Sequence, residues 1–274
     1  MSRKIDKHHP SMPTQNVMKD EFGWEVPIES VPLPSRGVLY DPDTTLFNRE
    51  TVPIKAMTAN EEDILSSPAY IKEGIVIDKL IEACVTDKSF NINNLTLGDR
   101  NALMIAIRIT GYGHEYPISA TCTNCSHVNN INVNLSELPI KRLEVEPNTP
   151  GKNEFTFTLP TTKKDVIFKF LTLQDENERA ATSRAYKQNF DIKLERNVTS
   201  FLTHAVVAVD GNRDKNKIRH FIMNMPAFDS RALRRAINSL EPGMDMTVQY
   251  ECSNCKSRNA TNLPMTSEFF WPGT

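Results

Sequence analysis

Cys122-Thr123-Asn124-Cys125 and Cys252-Ser253-Asn254-Cys255 stand 130 positions apart in the chain. Each pair lies between stretches that read as strands: Tyr116, Ile118 and Ala120 before the first, and Val128, Ile131 and Val133 after it. Met246, Val248 and Tyr250 precede the second pair, and Leu263 follows it. Two Cys-x-x-Cys turns between strands are the context in which backbone-supported thiolates converge on one cation. Cys122, Cys125, Cys252 and Cys255 are therefore expected to form a tetrahedral four-cysteine site of the zinc-ribbon kind. The 126 residues between Cys125 and Cys252 far exceed the spacing within one ribbon.

Working outward from the cysteines resolves that spacing. The shift of 130 lays Asp99, Ala102, Leu103, Ala106, Ile107 and Gly113 on Asp229, Ala232, Leu233, Ala236, Ile237 and Gly243, and it continues through the cysteines to Asn132 and Asn262. Eleven identities fall within residues 99–135 without a gap. Upstream the register becomes 114, with Thr51–Thr58 on Asp165–Thr172, so the second copy holds extra residues, expected near Asp210–Lys217. An internal repeat of this kind means tandem copies of one unit.

The expected fold is α+β: two tandem copies of a strand–helices–Cys-knuckle hairpin unit, joined by the shared four-cysteine site. Residues 1–30 form an N-terminal extension, 31–140 the first unit, 141–152 a Pro-containing linker and 153–274 the second unit. Within each unit a helix follows Thr58 or Thr172, where Glu61 and Asp175 complement the exposed amides of a first turn. A second helix is expected over Ile75–Val85 and over Val198–Val209, and a third is expected to be capped by Asp99 or Asp229.

Composition sets limits on function. The chain has 274 residues, 39% hydrophobic and 24% charged, enough for a packed core, and its formal charge of −2 lacks the basic excess of most polyanion binders. Ala102–Ile107, the longest apolar run near the chain middle, is far short of the roughly 20 residues that span a bilayer. No secretory signal opens the sequence. The 10 glycines form no phosphate loop, and no nucleophile–base–oxyanion set has usable spacing, so the reading is not an enzyme.

For the four thiols a structural Zn2+ is the first reading, with an iron–sulfur cluster, free thiols or disulfides, and a catalytic dithiol as alternatives. Cys84 reads as a small core side chain. The run Arg213, Lys215, Lys217, Arg219 and His220, with Arg231, Arg234 and Arg235 beyond, sustains an alternative function, that of a zinc-ribbon nucleic-acid-binding regulator. No aromatic platform is interleaved with these charges, however. Residues 1–28 read as a tail. Trp24 near one end and Phe269, Phe270 and Trp271 near the other are candidate partner-binding anchors, with packing onto the chain's own domains as the competing reading.

Four local signals, Leu33-Pro34-Ser35-Arg36-Gly37-Val38-Leu39-Tyr40, the Thr58–Asp63 helix start, Arg108-Ile109-Thr110-Gly111-Tyr112-Gly113-His114-Glu115-Tyr116 and Cys122-Thr123-Asn124-Cys125, resemble the baseplate proteins of T4-type contractile-tailed bacteriophages, of the hub or hub-assembly type. That resemblance implies a structural or assembly component of the baseplate hub. It would act by contacts with other baseplate and tail hub proteins, in the virion or in the host cytoplasm during assembly.

Overall fold

The computed structural model of the chain describes residues 16–19, 25–190, 197–264 and 267–270. The first half opens with an antiparallel sheet of β1 (Asn16–Lys19), β2 (Glu25–Pro32) and β3 (Thr51–Lys55). Strand pairing therefore begins ahead of residue 28, where sequence reading placed an irregular tail. Val17 and Met18 stand opposite Pro27 and Val26, and β2 continues onto β3 with Ile28 opposite Lys55. Helices α1 (Ala59–Ser66), α2 (Pro68–Glu73), α3 (Val76–Cys84) and α4 (Leu97–Tyr112) follow. Strands β4 (Glu115–Thr121) and β5 (Val128–Asn134) form the first cysteine hairpin, and β6 (Ile140–Lys141) leaves it.

The second half also passes from strands through helices to a cysteine hairpin, with a strand inserted among its helices. Strands β7 (Phe155–Thr158) and β8 (Asp165–Phe168) precede α5 (Leu173–Phe190) and α6 (Asn197–Ala205), and β9 (Val206–Val209) returns to β8. Helices α7 (Lys215–Asn224) and α8 (Ala227–Leu240) lead to β10 (Gly243–Met244) and to the second hairpin, β11 (Thr247–Glu251) and β12 (Arg258–Asn262). The helix expected over Val198–Val209 thus stops at Ala205. Val206, Val207 and Val209 are β-branched, and such residues lose rotamer freedom in a helix but pack well in a strand. In the first half only a single bridge, Ile54 to Val85, holds the corresponding edge.

The two halves share hydrogen bonds that follow from matching residues. The Glu61 carboxylate accepts from the Thr58 amide at 3.0 Å and pairs with Lys55 at 2.7 Å. Asp175 accepts from the Thr172 amide at 3.0 Å and pairs with Lys169 at 2.7 Å. In each case an N3 carboxylate closes a capping box and uses its second oxygen on a lysine at the end of the preceding strand or just past it.

Asp99 and Asp229 are not caps. Thr96 and Pro226 take the cap positions, and each aspartate lies inside the first turn, fully buried. Asp99 accepts from the Ser35 amide at 2.9 Å and from the Ser35 and Tyr40 hydroxyls, whereas Asp229 accepts from the Thr161 and Thr162 amides at 2.7 and 3.0 Å. Each carboxylate thereby fastens the Leu-Pro turn of its own half, Leu33-Pro34 or Leu159-Pro160, to its long helix. Burial pushes the Asp99 carboxyl up from its ordinary value against the pull of those donors. At Asp229 burial acts in the same sense, but the two backbone amides win and hold the carboxyl below its ordinary range.

The halves also interlock. Leu95 and Leu97 exchange backbone hydrogen bonds with Leu171 and Leu173, β6 pairs with β10, and the Pro139 carbonyl accepts from the Asp245 amide at 2.9 Å. Gly98 is required where α4 meets the end of α8, because a Cβ there would lie 1.9 Å from the Pro242 carbonyl oxygen. The segment 141–152 is tied down as well: Leu143 is buried and donates its amide to Pro34. The core of the first half includes Leu173, Leu263, Phe269 and Phe270, and that of the second takes in Leu39 and Leu143. Among the described residues no helix is long and apolar enough to cross a membrane.

Burial alone would push the Glu61 carboxyl up, but Lys55, Thr58 and Asn60 together hold it down to about 2. Its contribution to stability is therefore complete above about 4.5 and is lost as pH falls towards about 2. Glu61→Gln is expected to lower stability at pH 7 by about 1–2 kcal/mol. Urea unfolding at a series of pH values should show the deficit shrinking below about pH 4.5.

Candidate metal centre

The two cysteine turns are built alike because their backbones close alike. The Cys122 amide donates to the His127 carbonyl and the Ser126 amide to the Cys122 carbonyl, at 2.9 and 3.0 Å. The Cys252 and Lys256 amides make the equivalent bonds at the same distances, to Ser257 and Cys252. Ser126 and Lys256 both adopt positive φ, 58° and 59°, which lets the chain reverse after the second cysteine of each turn.

Side chains then cross between the hairpins reciprocally. Asn259 Oδ1 accepts from the Thr123 amide at 3.1 Å and its hydroxyl at 2.8 Å. Asn129 Oδ1 accepts from the Ser253 amide at 2.9 Å and its hydroxyl at 3.0 Å. The side-chain nitrogens of Asn259 and Asn129 reach Cys122 and Cys252 sulfur, at 3.5 and 3.6 Å. Asn124 and Asn254 donate across to Cys255 and Cys125 sulfur, at 3.5 and 3.6 Å. Sequence reading registered all four asparagines as repeat identities but gave them no task. Their constant spacing from the first cysteine of each turn was the available signal.

These contacts bring all four predicted thiols together. Their sulfurs lie within 4.8 Å of one another, with Cys122 to Cys255 and Cys125 to Cys252 each at 3.7 Å. That separation is nearly twice a disulfide bond of about 2.05 Å. It matches the edge, about 3.8 Å, of a tetrahedron whose corners lie about 2.3 Å from a central ion. The cluster could hold a metal ion.

The electrostatics of the donor set agree. The Ser257 hydroxyl, 3.1 Å from Cys255, and the Asn124 amide pull the Cys255 thiol down to about 5, and Ser257 draws Cys122 down to about 7. Although the His127 amide donates to Cys125, burial and the neighbouring Cys252 and Cys255 push that thiol up to about 11. Amide and hydroxyl donors favour thiolate here, yet four thiolates cannot crowd together without a cation. Cys84 is buried in the first core, and burial pushes its thiol up to about 12, as suits an inert side chain.

The aromatic anchors divide. Trp24 and Trp271 lie outside the residues whose side chains the structure describes. Phe269 and Phe270 are fully buried in the first half's core, with Phe269 edge-on to Tyr116 at 4.9 Å. Ring burial is satisfied inside the chain, which is the competing reading of these two side chains. Sequence reading missed their clamp, Arg108. Its guanidinium is buried and donates to the carbonyls of Phe269, Gly113 and Glu115 at 3.0, 2.9 and 3.3 Å, beside the Tyr112 and Tyr116 rings.

A protein-family model described as T4 bacteriophage base plate protein matches residues 40–271. No curated protein and no solved structure matches the chain.

Asn129→Ala and Asn259→Ala each remove the acceptor of one backbone amide and one hydroxyl at the partner turn. Each is expected to cost about 1–3 kcal/mol. Thermal unfolding of the single and double mutants checks this, and wild-type stability in both single mutants would contradict it.

Proposed function

The chain belongs to the T4 bacteriophage base plate protein family, and from that premise we propose that it is a structural or assembly component of the baseplate hub whose two halves are tandem copies welded by one structural Zn2+. The family makes it a virion tail component with phage tail proteins as partners. The observation that supports the metal weld is the tetrad itself: two sulfurs from each half, within 4.8 Å, in a shell of reciprocal donors.

Among the ions an all-thiolate set accepts, Zn2+ suits it best. Zn2+ takes tetrahedral thiolate coordination and leaves no open position when four cysteines bind, which is the closed form of a structural rather than a catalytic site. A multi-iron cluster would spread its cysteines around several metal atoms. The matched capping boxes at Glu61 and Asp175, the buried Asp99 and Asp229 and the two cysteine turns support descent from one duplicated unit. The domain boundaries at 31–140 and 153–274 follow from it.

In this role the residues work by position. Asn124, Asn129, Asn254 and Asn259 hold the sulfurs and soften their negative charge, and Arg108 holds the C-terminal segment on the opposite half. The ion, when bound, supplies cross-link energy that appears as folding energy. The protein is made in the host cytoplasm during assembly and joins its hub neighbours there as a preformed, metal-closed part.

Cys122→Ser is expected to abolish stoichiometric metal and to lower the melting temperature of both halves together, since each half supplies one of the two ligand pairs. Calorimetry with metal analysis on the same sample reads this, and an unchanged melting temperature would contradict it. Mass spectrometry of purified tails and of baseplate assembly intermediates tests the role: the chain is expected with hub proteins, and its absence from both would overturn the reading.

A further inference from the structure

The long helices α4 and α8 match at 130 residues' separation but differ in what covers them. On α4, Gly98, Ile105 and Arg108 are buried, by the end of α8 and by the C-terminal segment among others. The corresponding positions on α8 are Phe228, Arg235 and Asn238, and all three are exposed, as is Arg231. Phe228 is 66% exposed, and these positions share one helix face opposite buried Leu233 and Ile237. Met223, near the turn that joins α7 to α8, is 49% exposed, and Lys215 and Lys217 project from α7. Between residues 215 and 240 the only carboxylate is Asp229, which is buried and occupied by the Thr161 and Thr162 amides. A cationic helical face with an open aromatic ring at its edge is therefore left without cover from the described residues of its own half.

The first half has the opposite character. Residues 31–140 contain 8 basic and 13 acidic side chains, against 17 and 14 in residues 153–274. Its α1–α2 region exposes Glu62, Asp63 and Glu73 against one cation, Lys72, together with Ile71, an aliphatic residue that is 47% exposed. We propose that a second copy of this chain docks there: the Phe228–Arg231–Arg235 face of one copy packs on the acidic α1–α2 surface of the next. Phe228 and Ile71 supply the apolar centre and the charges the rim, the usual anatomy of a specific contact. The two surfaces differ and sit on different halves, so the association is heterologous, head to tail, and builds a ring or a file rather than a closed pair.

The full-length, metal-loaded chain is tested by sedimentation velocity across a concentration series in low and high salt. The mass is expected to rise above the 31.0 kDa monomer with concentration at low salt and to fall back at high salt as the charges are screened. Arg231→Glu with Arg235→Glu, or Asp63→Lys with Glu73→Lys, is expected to weaken association at least tenfold. All four positions are exposed, so unchanged melting temperatures verify folding. Mixing the two reversed variants should restore association between them. A wild-type chain that stays monomeric at low salt, association indifferent to both reversals, or a mixture that fails to associate overturns the proposal. So does a monomer that binds duplex DNA through Arg231 and Arg235, which would assign the face to nucleic acid instead.

Discussion

Four sulfur atoms brought within 4.8 Å of one another, two from each half of the chain, are the constraint on which the rest of the architecture depends. Thiols packed this closely either keep their protons or share a cation. Ser257 and Asn124 favour the ionised form at Cys255, and Ser257 does so at Cys122, while crowding by Cys252 and Cys255 opposes it at Cys125, so the four sulfurs are not all held as thiolates by the chain's own donors. The donors that tune each pair come from both hairpins, Asn259 serving Cys122 and Asn129 serving Cys252. Neither hairpin completes its own site. That mutual dependence turns two similar halves into one folded object.

Away from the cysteines the same logic of exchange recurs. The segment after the first hairpin lies on the second half, where Ile140 and Lys141 pair with Met244 and Gly243. The segment after the second hairpin lies on the first half, where Phe269 and Phe270 fill its core and Arg108 holds the Phe269 carbonyl. Burying two phenylalanine side chains is worth about 1.5–3 kcal/mol each. The buried guanidinium would be costly without its three carbonyls and two aromatic faces.

Much of this was legible in the chain itself. The cysteine spacing and the Thr58 and Thr172 helix starts are local signals, and the folded chain holds what they predict, a cluster of four thiols and capping carboxylates at Glu61 and Asp175. What was not legible depends on partners distant in sequence. Asp99 and Asp229 look like caps because a short acidic side chain at a helix start usually is one. Only the folded chain brings Ser35 or Thr161 to them. Val206–Val209 continues a helical pattern, and strand pairing with Val166–Phe168 overrides it. Whether the rings of Phe269 and Phe270 are covered by the chain itself is likewise written in no local pattern, because the residues that bury them belong to the first half.

The most direct test of the account is zinc K-edge X-ray absorption, with metal stoichiometry, on the full chain purified under reducing conditions. The account predicts one Zn2+ per chain with a first shell of four sulfurs at about 2.3 Å. A shell containing nitrogen or oxygen, an iron–iron distance typical of a cluster, or a chain that folds fully with no metal would contradict it.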